Sequence, residues 1–290
     1  MIELQNVSLG YPNKLIIKDI SYQFKPSKIY GLVAPNGAGK STLLNSILNI
    51  ISPLEGTIII DGWNYQSIKQ TKAIRQVLCA MPSQSDLIVN LSGLDHLKFY
   101  HSLWKKTSLP VKDVVKQLKM ESYIKTPVKS YSLGMKQRLC FAMLLTANTP
   151  YLLMDEVMNG LDPDNVALIS HIIEEKRHSG SCLIIASHLL ENLESYADSV
   201  LFIHNQQLVE VFDQSTTRTL VIKAGVKIHQ WLANKQMIGK LIKNHYLIEL
   251  SHFNNRTFSE FVSFCLAQQI EFMFSAKNLE ELYQEYFHKI

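Results

Sequence analysis

The chain has 290 residues, 47% of them hydrophobic, and a formal net charge of +4, which suffices for one large globular domain and a small second one. So slight and dispersed an excess of charge leaves no basic tail or block, and it excludes an electrostatic case for nucleic acid or an anionic lipid surface as partner. No window approaches the roughly 18 uncharged apolar residues of a membrane span, and the start Met1-Ile2-Glu3-Leu4 lacks the regions of a signal peptide, so a soluble chain is expected.

From the N-terminus, Ile2 to Val7 and Ile20 to Phe24 alternate apolar and polar residues and predict antiparallel strands with one wet face; Gly56 to Asp61 repeats the pattern. Ile29 to Val33 is different, a continuous apolar run of the kind buried on both faces of a parallel sheet. It leads directly into Ala34-Pro35-Asn36-Gly37-Ala38-Gly39-Lys40-Ser41-Thr42. Strand, glycine-rich loop and helix start in that order make a phosphate cradle. Gly37 and Gly39 let successive N–H groups turn inward, and the helix opening at Ser41 adds its positive end. Lys40 can reach the outer phosphates of a nucleotide, and Ser41 offers a hydroxyl to the accompanying magnesium ion.

Val77 to Met81 is a further buried strand, after which, from about residue 83 to 149, the pattern turns helical. Leu94, Leu97, Tyr100 and Leu103 recur at helical spacing, Val111 to Leu118 follows, and then Met135 to Leu145, apolar on nearly every face from Leu139 on. Ser132 can cap that last helix and Gly134 leaves its first amides open, a second anion-binding helix terminus in one chain. Tyr151 to Met154 is again a buried strand, and the two carboxylates that follow, Asp155 and Glu156, stand at its C-terminal tip, where ligand sites of open α/β sheets gather. Asp155 is placed to hold Mg²⁺ and Glu156 to polarise an attacking water. Cys182 to Ala186 and Val200 to Ile203 complete the parallel strands. Cys79, Cys140, Cys182 and Cys265 form no metal-binding grouping and read as reduced core residues of a cytosolic protein.

After Phe212 the motifs stop. Thr219 to Lys223, Ile228 to Leu232, Met237 to Leu250, Thr257 to Gln268, Ile270 to Phe274 and Leu279 to Phe287 predict strand, helix, strand pair, helix, strand and helix. The expected organisation is an α/β domain over 1–213, a mixed sheet with an antiparallel margin and a helical insert, then a small α+β domain over 218–290, with the boundary near Gln214 to Thr217.

The run Tyr131-Ser132-Leu133-Gly134-Met135-Lys136-Gln137-Arg138 resembles the signature sequence of ABC-type ATPases, in the form found in bacterial exporters of drugs, bacteriocins and amphipathic peptides. Tyr11 stands where that family stacks an aromatic ring on adenine. The phosphate loop, a Gln84 region, the signature, Asp155-Glu156, Asn159-Gly160-Leu161-Asp162 resembling the D-loop, and Ala186-Ser187-His188 resembling the switch histidine follow in family order. The resemblance runs from Ile2 to about Phe212 and implies a P-loop ATPase fold.

It also implies roles. ATP would be held by Tyr11, Asn36, Gly37, Ala38, Gly39, Lys40, Ser41 and Thr42 of one copy and by Ser132, Gly134 and Asp162 of a second, the two copies lying head to tail. Mg²⁺ would take Ser41, Asp155 and Gln84, and hydrolysis would depend on Glu156, His188 and Lys40. A separate integral membrane permease would form the pathway, with this chain peripheral on the cytoplasmic face and exporting an amphipathic peptide or antibiotic. Lipid or polysaccharide transport would need the same ATPase. A member acting on DNA or the ribosome fits less well, for want of a long coiled coil or a second ATPase unit. The expected docking face for the permease is Leu87, Ile88, Leu97, Phe99 and Tyr100.

The departures from the family pattern are Ala34 for the first loop glycine, Leu133 and Met135 within the signature, and Val157-Met158 after Glu156 in place of proline and threonine. The coupling glutamine falls at Ser83 by count from Leu91, and at Gln84 with a shift of one residue.

Overall fold

The structure is a computed structural model that describes residues 1–12, 14–188, 190–213, 219–237, 239–242, 245–275, 279, 283, 286 and 287. It divides into two compact units, Met1–Val209 and Glu210–Ile290. That division comes slightly ahead of the expected boundary, whose residues 214–217 lie outside the described ones.

The first unit contains the strands β1 (Ile2–Tyr11), β2 (Lys14–Phe24), β3 (Ile29–Val33), β4 (Glu55–Ile60), β5 (Leu78–Ala80), β6 (Tyr151–Asp155), β7 (Cys182–Ala186), β8 (Ser199–His204) and the start of β9 (Gln207–Asp213). Its helices are α1 (Lys40–Ile47), α2 (Ile68–Val77), α3 (Gly93–Leu103), α4 (Val111–Gln117), α5 (Leu133–Ala147), α6 (Pro163–His178) and α7 (Leu190–Tyr196). β1 pairs antiparallel with β2 and β4. β5, β6, β7, β3, β8 and β9 form a second sheet in that order, parallel wherever β5, β6, β7, β3 and β8 meet.

β3, β7 and the apolar part of β6 are buried throughout, as their unbroken apolar runs require. β1 and β2 outrun the strands expected from alternation. Asn6 (φ 49°) and Asp19 (φ 47°) adopt left-handed conformations, the register between β1 and β2 shifts in this region, and beyond it Val7, Ser8, Leu9 and Gly10 are all buried. A bulge of this kind breaks the two-residue period, so a reading by alternation stops short. Val77 belongs to α2, which shortens the expected strand Val77 to Met81 to β5. α2, α6 and α7 are helical stretches between the buried strands whose bounds the sequence reading does not set; in α2 only Ile74 is buried, which leaves little periodicity to set them.

The two sheets and α1 share one core, in which Ile2, Leu4, Phe24, Tyr30, Leu43, Ile58, Leu153, Ile184 and Leu201 all take part. The rings of Phe24 and Tyr30 meet edge to face at 5.0 Å. The start of β3 is anchored by Asp198, whose carboxylate accepts from Ile29 N at 2.8 Å and from Arg177 of α6 at 2.9 Å. All four cysteines are free and buried, and burial pushes the thiols of Cys79, Cys140 and Cys182 up to about 12, so they are held as inert thiols.

In the second unit β10 (Thr219–Lys223), α8 (Val226–Asn234), β11 (Lys240–Ile242), β12 (His245–Glu249), α9 (Asn255–Ala267) and β13 (Phe272–Ser275) follow the expected order of types. The antiparallel sheet runs β11, β12, β10, β13, and Leu220, Ile222, Trp231, Ile248 and Phe261 lie in its core. The expected closing helix Leu279 to Phe287 falls largely outside the described residues.

Candidate functional site

β3 is central in the parallel sheet, paired with β7 on one side and β8 on the other. The chain leaving it enters the glycine-rich loop with Ala34 buried, and Ala34 is absent from the positive-φ residues, so alanine is tolerated there. Ala38 N donates to Pro35 O at 3.1 Å and closes the turn. Gly37 has φ 78° and Gly39 has φ 120°. A Cβ on Gly39 would also lie 2.5 Å from Ile16 Cγ2, so both conformation and space demand glycine. Gly39 is the N-cap of α1 and offers no side chain to the first-turn amides. Those amides are therefore left for an anion. Lys40 is 7% exposed, and its ammonium donates to Ala34 O at 2.6 Å, across the loop. Asn36 and Gly37 are exposed on the loop, Ala38 is half-buried and Thr42 is buried inside α1.

Parallel register supplies the second part. Leu32 of β3 pairs with Ala186 of β7, and Ala186 pairs with Asp155 of β6, so the three strands end level. Ser41 Oγ donates to Asp155 Oδ2 at 2.7 Å. These are two hard oxygen donors of the kind Mg²⁺ takes, and they meet without rearrangement. Glu156 N donates to Ala186 O at 2.9 Å, and the Glu156 carboxylate reaches His188 Nδ1 at 2.8 Å. Lys40, Ser41, Asp155, Glu156 and His188 thus converge on one sheet edge. Tyr196, at the end of α7, is buried against the same region; burial first, then the Glu156 carboxylate, pushes its hydroxyl well above the usual tyrosine range.

A second cluster forms at the start of α5. Ser132 is the N-cap and its hydroxyl accepts from Met135 N at 3.2 Å. Gly160, with φ 73°, packs on it: a Cβ there would lie 2.7 Å from Leu133 Cδ2, and a Cβ on Gly134 would touch Gly160 O at 3.4 Å. Asp162 caps α6, accepting from Asn165 N at 2.9 Å and from the Asn165 amide at 2.7 Å, and these bonds hold its carboxyl below the usual range. The Asn165 carbonyl in turn accepts from Arg138. Ser132, Gly134, Gly160 and Asp162 therefore belong together. No hydrogen bond among the described residues joins this cluster to the phosphate loop of the same chain. Tyr11 is the exposed last residue of β1, paired with Lys14 in the same β1–β2 hairpin whose Ile16 and Ile17 lie against Gly39 of the loop.

Gln84, expected on the metal beside Ser41 and Asp155, donates from Nε2 to Gln137 Oε1 at 2.7 Å. Ser83, the other candidate, binds Asp86 through its N–H at 2.8 Å and caps its own short 3-10 turn. The expected docking face splits. Leu87 and Leu97 are buried, 6% and 0% exposed, whereas Ile88 and Phe99 are 58% and 59% exposed, and Tyr100 is half-buried. Helical spacing turns His96, Leu97 and Tyr100 inward and leaves Phe99 and Leu103 outward. His96 pins the adjoining loop, with Nε2 accepting from Ile88 N at 3.0 Å and Nδ1 bonded to Ser92 O at 2.8 Å. Gln137 was not marked as functional; it stands between Lys136 and Arg138, yet its amide is buried.

The family described as ABC transporter matches residues 17–159. The chain is 30% identical over 211 residues to the lantibiotic transport ATP-binding protein SrtF of Streptococcus pyogenes, covering 72% of this chain and 89% of that one. It is 31% identical over 214 residues to the bacitracin transport ATP-binding protein BcrA of Enterococcus faecalis, covering 72% and 68%. Among solved structures, the fold resembles the ATP binding subunit of an ABC transporter, with a TM-score of 0.67 at 22% identity over 72% of this chain and 89% of that one. It also resembles a dimeric bacterial ABC transporter cassette, with a TM-score of 0.65 at 21% identity over 72% and 96%.

Proposed function

The chain belongs to the ABC transporter ATP-binding family, and from that premise we propose that Glu156 is the general base of its ATP hydrolysis and that two copies enclose ATP to drive export through a separate membrane permease. The chain is a transporter ATPase subunit; it binds ATP and hydrolyses it. The observation that carries the assignment of roles is the level ending of β3, β7 and β6, which sets Lys40, Ser41, Asp155, Glu156 and His188 on one edge.

Phosphoryl transfer needs positioning and charge neutralisation more than covalent help. Lys40 and the open amides of α1 hold the outer phosphates. Ser41 and Asp155 would hold Mg²⁺, which when bound neutralises charge on the phosphate oxygens. The Glu156 carboxylate takes the proton of the attacking water, and His188 keeps that carboxylate oriented across the 2.8 Å contact. Neither anion-binding helix terminus alone surrounds a triphosphate, and the Ser132–Gly134 cluster has no hydrogen bond to its own phosphate loop among the described residues. A head-to-tail second copy brings Ser132, Gly134 and Asp162 to the open side of the nucleotide.

No helix of the described residues is long and apolar enough to cross a membrane. The exposed apolar residues Ile88, Val89, Leu91, Phe99 and Leu103 are the surface we assign to a membrane permease, which places the subunit on the cytoplasmic face. Lantibiotic and bacitracin transport in the names of two relatives supports an amphipathic peptide or antibiotic as cargo. The test is Glu156→Gln. ATP binding is expected to persist and turnover to fall by about 10²- to 10⁴-fold, with the copies held together by ATP in size-exclusion chromatography. Turnover at the parental rate would remove Glu156 from this role.

A further inference from the structure

Glu156 occupies a conformation that side chains seldom adopt, with φ 53°. The residues after it, Val157 and Met158, are buried but include no proline to stiffen the turn. Glu156 N donates to Ala186 O at 2.9 Å and Asn159 N to Glu156 O at 3.1 Å, and to these backbone bonds one side-chain amide is added. Nε2 of Gln137 donates to the carbonyl of Glu156 at 3.0 Å and to that of Val157 at 3.0 Å. Its other end, Oε1, accepts from Gln84 Nε2 at 2.7 Å. Gln137 is 5% exposed, so both hydrogens of its amide are committed inside the protein, where an unpaired polar group is costly.

We propose that Gln137 is the positioning residue of the hydrolytic centre: it aims the Glu156 carboxylate by clamping both carbonyls of the left-handed turn, and Gln84 bears on Glu156 through it. This rests on the reading of Glu156 as general base. The side chain joins three segments: the short turn Gln84–Asp86 next to Ile88, helix α5 whose first turn carries Ser132 and Gly134, and the end of β6. A displacement of Gln84 is thereby passed to the catalytic turn by one hydrogen bond, with no need for Gln84 to touch the nucleotide. It also accounts for the contact of Gln84 with Gln137.

Two variants of the full chain test this, assayed together with the transporter it energises. Gln137→Met keeps the length and removes the donors; Gln137→Glu keeps the shape and replaces the donors with acceptor oxygens. Misplacement of a catalytic group by an ångström costs about 10²-fold. We therefore expect kcat to fall by about ten- to a hundredfold while KM and the equilibrium affinity for ATP stay within about threefold. Gln84→Ala is expected to lower kcat in the parent and to have no further effect in Gln137→Met. Parental kcat in folded Gln137→Met protein, or a Gln84→Ala effect that persists undiminished there, overturns the proposal. Where Gln137→Glu does not fold, Gln137→Met decides. Glu156→Gln run in parallel separates the two readings: if it turns over ATP normally, the base assignment fails and Gln137 has nothing to aim. If it is inactive while Gln137→Met matches the parent, only the role of Gln137 is lost.

Discussion

Lys40 is buried to 7% exposure yet keeps its charge satisfied by a loop carbonyl 2.6 Å away. The ammonium is thus stored at the mouth of the cradle and needs only to exchange one oxygen for another when phosphate enters. A hydrogen bond to a charged group contributes about 1.5–3 kcal/mol, so Lys40→Ala is expected to weaken ATP binding by about ten- to a hundredfold in an equilibrium binding assay, with thermal stability little changed. At this scale the chemistry was legible wherever residue type and spacing coincide with a strand end. Gly37, Gly39, Lys40 and Ser41 follow β3, Asp155 and Glu156 follow β6, and the structure brings these groups to one edge. Gln137 was not legible, because between Lys136 and Arg138 it reads as one more polar residue and nothing in the sequence says that its amide is buried. The contact of Gln84 with Gln137 was not legible either, because spacing along the chain does not say which way a side chain on a 3-10 turn is directed.

Among the elements, runs without alternation were the most faithful guide. β3 and β7 begin and end where the sequence reading put them, since such a run has only one way to be buried. β1 and β2 were underestimated because the bulge region around Asn6 and Asp19 interrupts the period of two on which the reading depends. α3 was found as a helix, but its docking residues were not, because apolar side chains occur on both its inner and outer faces and only packing against α5 decides between Leu97 and Phe99. α5 permits a sharper test. Ser132 serves as its cap and, in the proposed pair, as a phosphate donor for the other copy. Aspartate caps a helix as well as serine but brings negative charge to an anion site. Ser132→Asp is therefore expected to leave stability within about 0.5 kcal/mol in denaturant unfolding and to abolish ATP-dependent dimerisation in size-exclusion chromatography.

Taken whole, the molecule gathers chemistry and the proposed attachment surface in one unit. The unit Met1–Val209 contains every residue given a role in ATP hydrolysis, and the same unit presents the apolar surface of Ile88 and Phe99. Their exposure, 58% and 59%, exceeds the 47% of Leu103 in α3, and the loop carrying Ile88 is fixed by His96. Replacing both, as Ile88→Asp with Phe99→Asp, is expected to abolish co-purification with the membrane subunit while leaving ATP affinity unchanged. Persistence of the complex would move the docking surface elsewhere. The unit Glu210–Ile290 was readable as an order of strands and helices but carries no group of residues with an assigned chemistry.

The first turns of α5 have one more implication. Ser132, which faces outward to a neighbour's nucleotide in the proposed pair, and Gln137, which grips the chain's own catalytic turn, are less than two helical turns apart. A rigid rod that short cannot tilt at one end and stay still at the other. In the proposed pair each subunit would therefore sense through its backbone whether its neighbour is loaded, and the two hydrolytic events would belong to a single shared cycle.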